Sequence, residues 1–414
     1  MSHSRATARR RFAIVSAFSI LRLLVSLNSA SAQVVEVIGF PGGGYNVAWF
    51  TASGDATTLF GMTSGAGQRI FRWTQSGGFE FLDAPGFEDA TPGAVNRDGD
   101  AFVGGSNGNA IRWSAADGYE TLPLPASLSG NPSFATAISG DGNVMGGNVR
   151  VGPTQWAAVR WTRVDGETQV EELSVQAPAV WSVMVRDISD DGNVILGTME
   201  IGQFDHYYSC LWTNGALSAP PIDVQDLGLA GLSADGSVAV GNQFGTILAI
   251  RWTEDEGPVD IGMTSQNIGS VSGDGSIVVG RQDPLVWSSE TGTFSLHSLL
   301  QNHGVEPPDG FLFSLESVSL DGVTYLGTGW SYQGSSASGI WRVTLPCLTI
   351  TGGDMNCDCA LDANDIVPFA QALIDPDAYQ ADHPPCNRHL ADFDGDGNVD
   401  GNDVAGFVGA LLAP

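Results

Sequence analysis

The chain has 414 residues and a formal charge of −29, from 46 acidic and 17 basic residues, and it contains no lysine. This excludes lysine Schiff-base chemistry, a P-loop and any broad cationic footprint for nucleic acid or anionic lipid. Only 15% of residues are charged, yet there are 54 glycines and 43% apolar residues, a balance that fits a β-rich body rather than disorder.

The N-terminus reads as a targeting segment. Arg5, Arg9, Arg10 and Arg11 form a basic region, Phe12 to Leu27 an apolar stretch, and Ser29-Ala30-Ser31-Ala32 a small-residue cleavage site. We expect a signal peptide over 1–32 and a mature start at Gln33. Arg10 and Phe12 fit a twin-arginine signal loosely while Arg22 interrupts the apolar run, so both export routes stay open. Without this segment 12 basic residues face 46 acidic ones, a charge of −34. No later stretch is apolar enough to span a bilayer. The expected location is extracellular or at the cell surface.

Residues 33–346 carry one unit seven times. An aspartate turn recurs at Asp55, Asp98, Asp141, Asp191, Asp235, Asp274 and Asp321. A glycine follows at Gly61, Gly104, Gly146, Gly197, Gly241, Gly280 and Gly327, and then a tryptophan at Trp73, Trp113, Trp161, Trp212, Trp252, Trp287 and Trp341. The period of about 44 residues is blade length for a β-propeller. Each unit predicts four short strands, with the Asp-Gly turn between the first two. In the third unit they are Phe134–Ser139, Asn143–Asn148, Ala157–Thr162 and Gln169–Val175. The last unit stops on its third strand, so Val34–Phe40 is expected to close the ring as its fourth. An open solenoid or a stacked sandwich is the competing fold. The tryptophan reads as packing between sheets. Arg72, Arg112, Arg160 and Arg251, each just before it, predict ion pairs to turn carboxylates.

The Ser-x-Asp-Gly turn, glycine and tryptophan resemble the WD repeat, but here Trp is followed by Thr or Ser in six units rather than Asp. Asn109-Ala110-Ile111-Arg112-Trp113, Ala157-Ala158-Val159-Arg160-Trp161 and Leu248-Ala249-Ile250-Arg251-Trp252 resemble more closely the bacterial extracellular HAF repeat, without its histidine. The resemblance implies an extracellular repeat protein and leaves the ligand open.

Hairpins between strands two and three should emerge opposite the Asp-Gly turns. They carry Trp156, Phe204, His206, Tyr207, Tyr208, Phe244, Trp330 and Tyr332, and Trp181 is expected on the same face. Such aromatics suit a glycan or peptide ligand, or else pack the loop tips. No zincin motif or nucleophile elbow is present. A glycoside hydrolase or lyase would need acids from separate blades, for which Glu120, Asp205 and Glu316 are the off-register candidates. The reading leans to a non-catalytic protein.

The last segment, 347–414, holds two twelve-residue loops. Loop one offers Asp354, Asn356, Asp358, the Ala360 carbonyl, Asp362 and Asp365; loop two offers Asp392, Asp394, Asp396, the Asn398 carbonyl, Asp400 and Asp403. Oxygen donors at positions 1, 3, 5, 7, 9 and 12 are what a Ca²⁺ loop requires. Two Ca²⁺ ions are expected, with five carboxylates converging in loop two; a solvated acidic turn is the alternative. An apolar face at helical spacing follows each loop, at Ile366, Phe369, Ala370, Leu373 and Ile374, and at Val404, Phe407, Val408, Leu411 and Leu412. Cys210 stands alone and should be buried. Cys347, Cys357, Cys359 and Cys386 predict two disulfides, with Cys357 and Cys359 each joined to Cys347 or Cys386; zinc is the rival reading.

Two loop-plus-helix units closed by Asp rather than Glu resemble a dockerin, the calcium-dependent module that binds a cohesin. By that resemblance the partner is a cohesin-like or cell-surface protein, and Ala363, Asn364, Gly401 and Asn402 occupy partner-contact positions. Two features depart from the pattern: Cys359 replaces the glycine usual at position 6, and the loops start 38 residues apart, with an insert at 375–388 that the disulfides should brace.

Overall fold

The architecture follows from one side-chain circuit repeated around the chain. In six of seven turns a buried or half-buried Ser hydroxyl donates to the Asp two residues on, as Ser139 does to Asp141 at 2.7 Å. The same hydroxyl accepts the Val144 N–H at 2.9 Å, and Asp141 accepts the Asn143 N–H at 2.9 Å. Gly142 takes the left-handed φ of 73° that this tight connection needs. The Asp is therefore a turn-builder. In the second unit Asn96 does the work instead: its Oδ1 accepts from Asp100 and Ala101, and Asp98 turns outward to Arg97.

These turns organise seven four-stranded antiparallel sheets, a seven-bladed β-propeller. The computed structural model describes residues 35–413 apart from 40–44, 66–67, 176–178, 203–205, 218–225, 266, 282–283, 304, 306–310, 332–337, 346, 349–350 and 384–385. The blades occupy 45–81, 91–121, 133–172, 180–217, 227–264, 268–295 and 311–344. Glu36–Ile38 completes the seventh, pairing antiparallel with Arg342, Trp341 and Ile340. The N-terminal strand thus closes the ring, as its sequence position predicts.

A second circuit welds the blades together. The residue between Ser and Asp in each turn bonds to its counterpart in another blade through the backbone. Leu320 N–H donates to Gly54, Gly54 to Arg97, Gly140 to Asp190, Asp190 to Ala234, Ala234 to Gly273 and Gly273 to Leu320, at 2.7–2.9 Å. The remaining step, from Arg97 to Gly140, is bridged by the Asn96 amide, whose Nδ2 donates to the Gly140 carbonyl at 3.3 Å. This closed loop of seven links surrounds a cavity of about 190 Å³. Arg97 reinforces it by reaching Asp190 at 2.7 Å.

The strand-three tryptophans fill the gaps between sheets. Trp161, Trp212 and Trp341 are fully buried, each in a cluster with residues of the preceding blade. A bulge in the first strand lies against the second-strand glycine: at Gly327 a Cβ would sit 1.7 Å from the Ser314 carbonyl oxygen and 2.5 Å from the Trp341 ring. Turn carboxylates pair with Arg251 (Glu256, 3.0 Å) and Arg112 (Asp117, 3.7 Å) as expected. However, Arg112 lies closer to Glu120 (3.3 Å) and Arg160 pairs with Glu171 (3.4 Å), both on fourth strands, because the cross-strand neighbour is nearer than the turn. Arg72 differs, donating to the Gly99 carbonyl at 3.5 Å with its guanidinium over Phe60. Cys210 is free and buried, and burial pushes its thiol up to about 12.

Helix α1 (Leu296–Asn302), capped by Ser295, follows blade six. The tail has three more: α2 (Ile366–Ile374), α3 (Pro376–Asp382) and α4 (Val404–Leu411). Its core centres on Phe369 and Phe407, which occupy matching places after the two loops and stack at 3.9 Å and 6°. Among the described residues no helix is long and apolar enough to cross a membrane.

Candidate functional site

The two tail loops share one backbone-to-carboxylate network. At position 12, Asp365 Oδ1 accepts the N–H groups of Met355 (2.7 Å) and Asn356 (3.1 Å) while Oδ2 accepts Asp362 (2.8 Å). Asp403 does the same with Phe393 (2.7 Å), Asp394 (3.2 Å) and Asp400 (2.8 Å). At position 1, Asp354 accepts from Asp358 and Cys359, and Asp392 from Gly395 and Gly397. Both loops need left-handed residues at positions 4 and 6. Loop two uses Gly395 and Gly397; loop one uses Cys357 (φ 55°) and Cys359 (φ 75°). Side chains rarely adopt that backbone. Here both are held from outside, by the disulfides Cys357–Cys386 and Cys347–Cys359. The first bond also ties down the insert, where Tyr379 donates its hydroxyl to the Met355 carbonyl at 3.0 Å.

Carboxylate oxygens of Asp392, Asp394 and Asp403 lie within 4.8 Å of one another. Sequence alternation predicts five converging acids; Asp396 and Asp400 instead accept the Asn398 and Asn402 N–H groups, outside that close group. Loop one holds Asn356 at position 3, so fewer charges meet there. Burial nevertheless pushes Asp354 up to about 6, with Asp365 and Asp358 adding repulsion against the backbone bond from Cys359. Asp403 lies below the ordinary carboxylate range: burial opposes this, and the bonds from Asp400, Asp394 and Phe393 outweigh it. Ala363, Asn364, Gly401 and Asn402 are all exposed.

The second candidate is a cavity of about 680 Å³ on the face opposite the Asp-Gly turns. It opens where the first strands of blades four to six meet the hairpin 243–248 of blade five. Arg186, the unpaired residue at the bulge between Val185 and Asp187, lies open to this cavity. Its Nε donates to Thr198 Oγ1 at 2.9 Å, and among the described residues no carboxylate lies within ion-pair distance. Desolvation pulls its guanidinium below the ordinary arginine value, against the opposing influence of Tyr207. Arg281 lines the same cavity and contacts Glu316 at 2.8 Å. Neither arginine stands out in the sequence; a weak signal is that each falls outside the strand-three pattern of the others.

Of the predicted aromatics, Tyr207 meets Phe244 at 5.1 Å and 48°, and Phe244 lies on the cavity wall. His206 is exposed, 3.9 Å from Asp226. Trp156 and Trp181 are half-buried, and Tyr208 packs against the core of blade four. Trp330 lies in a described strand, but its side chain, like Phe204, Asp205 and Tyr332, lies outside the described residues. Glu120 is shared by Arg112 and Arg163, and Glu316 is held by Arg281.

No protein-family model and no curated protein matches the chain. Among solved structures it is similar to an oligogalacturonate lyase in complex with manganese, at 14% identity and a TM-score of 0.49, covering 75% of this chain and 96% of that one. It is similar to TolB from Acinetobacter baumannii at 15% identity and 0.40, covering 52% and only 53%, about half of that protein's length. The Cps50 (Swd1) β-propeller domain of Myceliophteria thermophila matches at 13% and 0.36, covering 60% and 81%. At this distance the likeness concerns fold alone.

Proposed function

We propose that this is an exported, non-catalytic binding or display protein. Its HAF-type propeller holds a glycan or peptide ligand, and its dockerin-like tail attaches it to a cohesin-like or cell-surface partner, with one Ca²⁺ in each loop. The observation that carries the reading is the duplicated network in which Asp365 and Asp403 each close a loop through three backbone N–H groups. The donor set fits the ion: clustered carboxylates such as Asp392, Asp394 and Asp403 repel one another, and a hard cation with oxygen preference relieves that. Asp354, Asn356, Asp358, the Ala360 carbonyl, Asp362 and Asp365 would hold the other ion.

Matching exposed apolar residues favour a partner for the tail. Ile366, Val367 and Ile374 on α2, and Val404 and Val408 on α4 with Leu412 at its C-cap, are 40–83% exposed. The two disulfides favour an oxidising compartment, as export would provide. Glu120 and Glu316, each held by arginine, favour binding over glycoside cleavage.

Calorimetry and native mass spectrometry of the full mature chain test the tail. Two Ca²⁺ per chain are expected, one after Asp403→Ala or Asp365→Ala, and none after both. Unchanged stoichiometry in the double variant, or no binding by the parent, would defeat the calcium reading. Cohesin capture that survives chelation would defeat the calcium-dependent attachment.

A further inference from the structure

We propose that the cavity around Arg186 and Arg281 is a binding site for a carboxylate-bearing oligosaccharide, one built of uronic acid units. This deepens the binding reading of the propeller and is independent of the tail.

Charge comes first. In a chain with 46 acidic residues, Arg72, Arg150, Arg186 and Arg388 lack a carboxylate partner among the described residues. Of these, Arg72, Arg150 and Arg388 spend an Nη group on a backbone carbonyl, whereas Arg186 faces a cavity with both Nη groups unbonded. The other arginines of the repeat are consumed structurally, by Glu120, Glu171 and Glu256 or by the Gly99 carbonyl. Among the described residues Arg186 uses only Nε, for Thr198, so its two Nη groups present the planar fork that matches a carboxylate. Arg281 engages Glu316 through Nε, and its Nη groups make no hydrogen bond among the described residues. Two such forks on one cavity select an anion and disfavour a neutral or cationic guest.

Shape and lining narrow the anion to a glycan. A volume of about 680 Å³ falls in the range for small-molecule sites. Phe244 sits on the wall at 46% exposure, packed beside Tyr207, and offers a flat apolar face for a sugar ring. A Cβ on Gly228 would come within 2.7 Å of the Phe244 ring, so the bare backbone there sets the ring's position. Gln243 and Asn267 line the same space with amides that can donate to and accept from ring hydroxyls. An acidic peptide shares the charge but does not call for the aromatic plane.

The test uses the full mature chain and uronic acid oligosaccharides of alginate and pectate type, each beside its carboxyl-reduced counterpart, with an acidic peptide as a third probe. Calorimetry should show binding of an acidic oligosaccharide that weakens with salt and is lost on carboxyl reduction. Arg186→Met should weaken it by about 10–100-fold, the worth of a charge-assisted bond. Glu316→Gln should tighten it by about three-fold or more, because it frees Arg281 and removes a competing charge; a misfolded variant cannot mimic that gain. Arg186→Lys should fall between, since it keeps charge but loses the fork. Equal binding of the reduced glycan, tighter binding of the peptide, or an unchanged Arg186→Met affinity would overturn the assignment while leaving a binding propeller in place. No binding of any probe would overturn both.

Discussion

The ring and the tail both rely on short aspartate-rich turns, yet they use the carboxylate in opposite ways. In the ring each Asp is surrounded by donors: Asp191 accepts from Ser189 and from both the backbone and side chain of Asn193. Although partial burial opposes it, these bonds hold Asp191 below the ordinary carboxylate range, as they do Asp55, Asp141, Asp235 and Asp274. In loop one Asp354 is fully buried with other acids nearby, and its pKa moves up to about 6. The same side chain is therefore favoured as a carboxylate in these ring turns and disfavoured at Asp354. Burial beside other acids, rather than donor supply or aspartate count, sets Asp354 apart, since Asp365 and Asp403 each accept three backbone N–H groups as well.

The largest way to break this contrast is covalent. The double variant Cys357→Ser/Cys386→Ser frees one of the two left-handed cysteines in loop one and opens a 29-residue closure. We expect the tail to lose about 3–4 kcal/mol, with the propeller unaffected. Hydrogen exchange at 354–411 against 45–344 checks it, and equal loosening of both regions would contradict two separately stabilised structures.

A smaller and more telling effect is the sign of the pH response. The turn carboxylates Asp55, Asp141, Asp191, Asp235 and Asp274 have depressed values, so their contribution is present above about pH 4 and is lost as pH falls through the folded values, whereas burial raises Asp187 of blade four to about 6. Asp354 has a raised value, so in chelator its contribution is present below about pH 4 and is lost as pH rises through about 6. Between about pH 4 and 6.5 the calcium-free tail should weaken while the ring holds once Asp187, which shares the raised value, is replaced in an Asp187→Asn background. Limited proteolysis at fixed pH values, read by fragment mass, distinguishes them; both regions weakening in the same direction would sink the comparison.

The mildest probe is Ser189→Ala. It removes the hydroxyl that donates to Asp191 and accepts the Val194 N–H at 2.9 Å, leaving that N–H without its partner. We expect about 1–2 kcal/mol lost by chemical denaturation and a flatter acid limb, because Asp191 loses part of what depresses its pKa. Stability unchanged within ~0.3 kcal/mol would mean the turn circuit is not what holds the blade.

Much of this was legible residue by residue. Repetition of Asp, Gly and Trp at a fixed period is a local pattern, and each landmark has a local job that any blade repeats. The missing fourth strand and its replacement at Glu36–Ile38 follow from counting. The paired loops are equally local, since every ligand position lies within twelve residues. Harder to see was that Asn96 replaces Ser in the second turn and supplies the seventh link of the ring, because the link runs through backbone groups of residues as unlike as Leu320, Gly54 and Asp190. The pairing of cysteines was open between two arrangements, and spatial proximity selected one.

Sequence alone determined the seven blades, the closing strand and the two loops, because each depends on interactions among neighbours in the chain or on repetition of one local rule. Tertiary structure alone decided which arginines keep Nη groups without a hydrogen bond among the described residues. Arg186 and Arg281 are 95 residues apart and on different blades, and they share a cavity because ring closure brings the first strands of blades four to six around it. Whether a charge is already paired depends on everything packed around it, and no stretch of sequence carries that information.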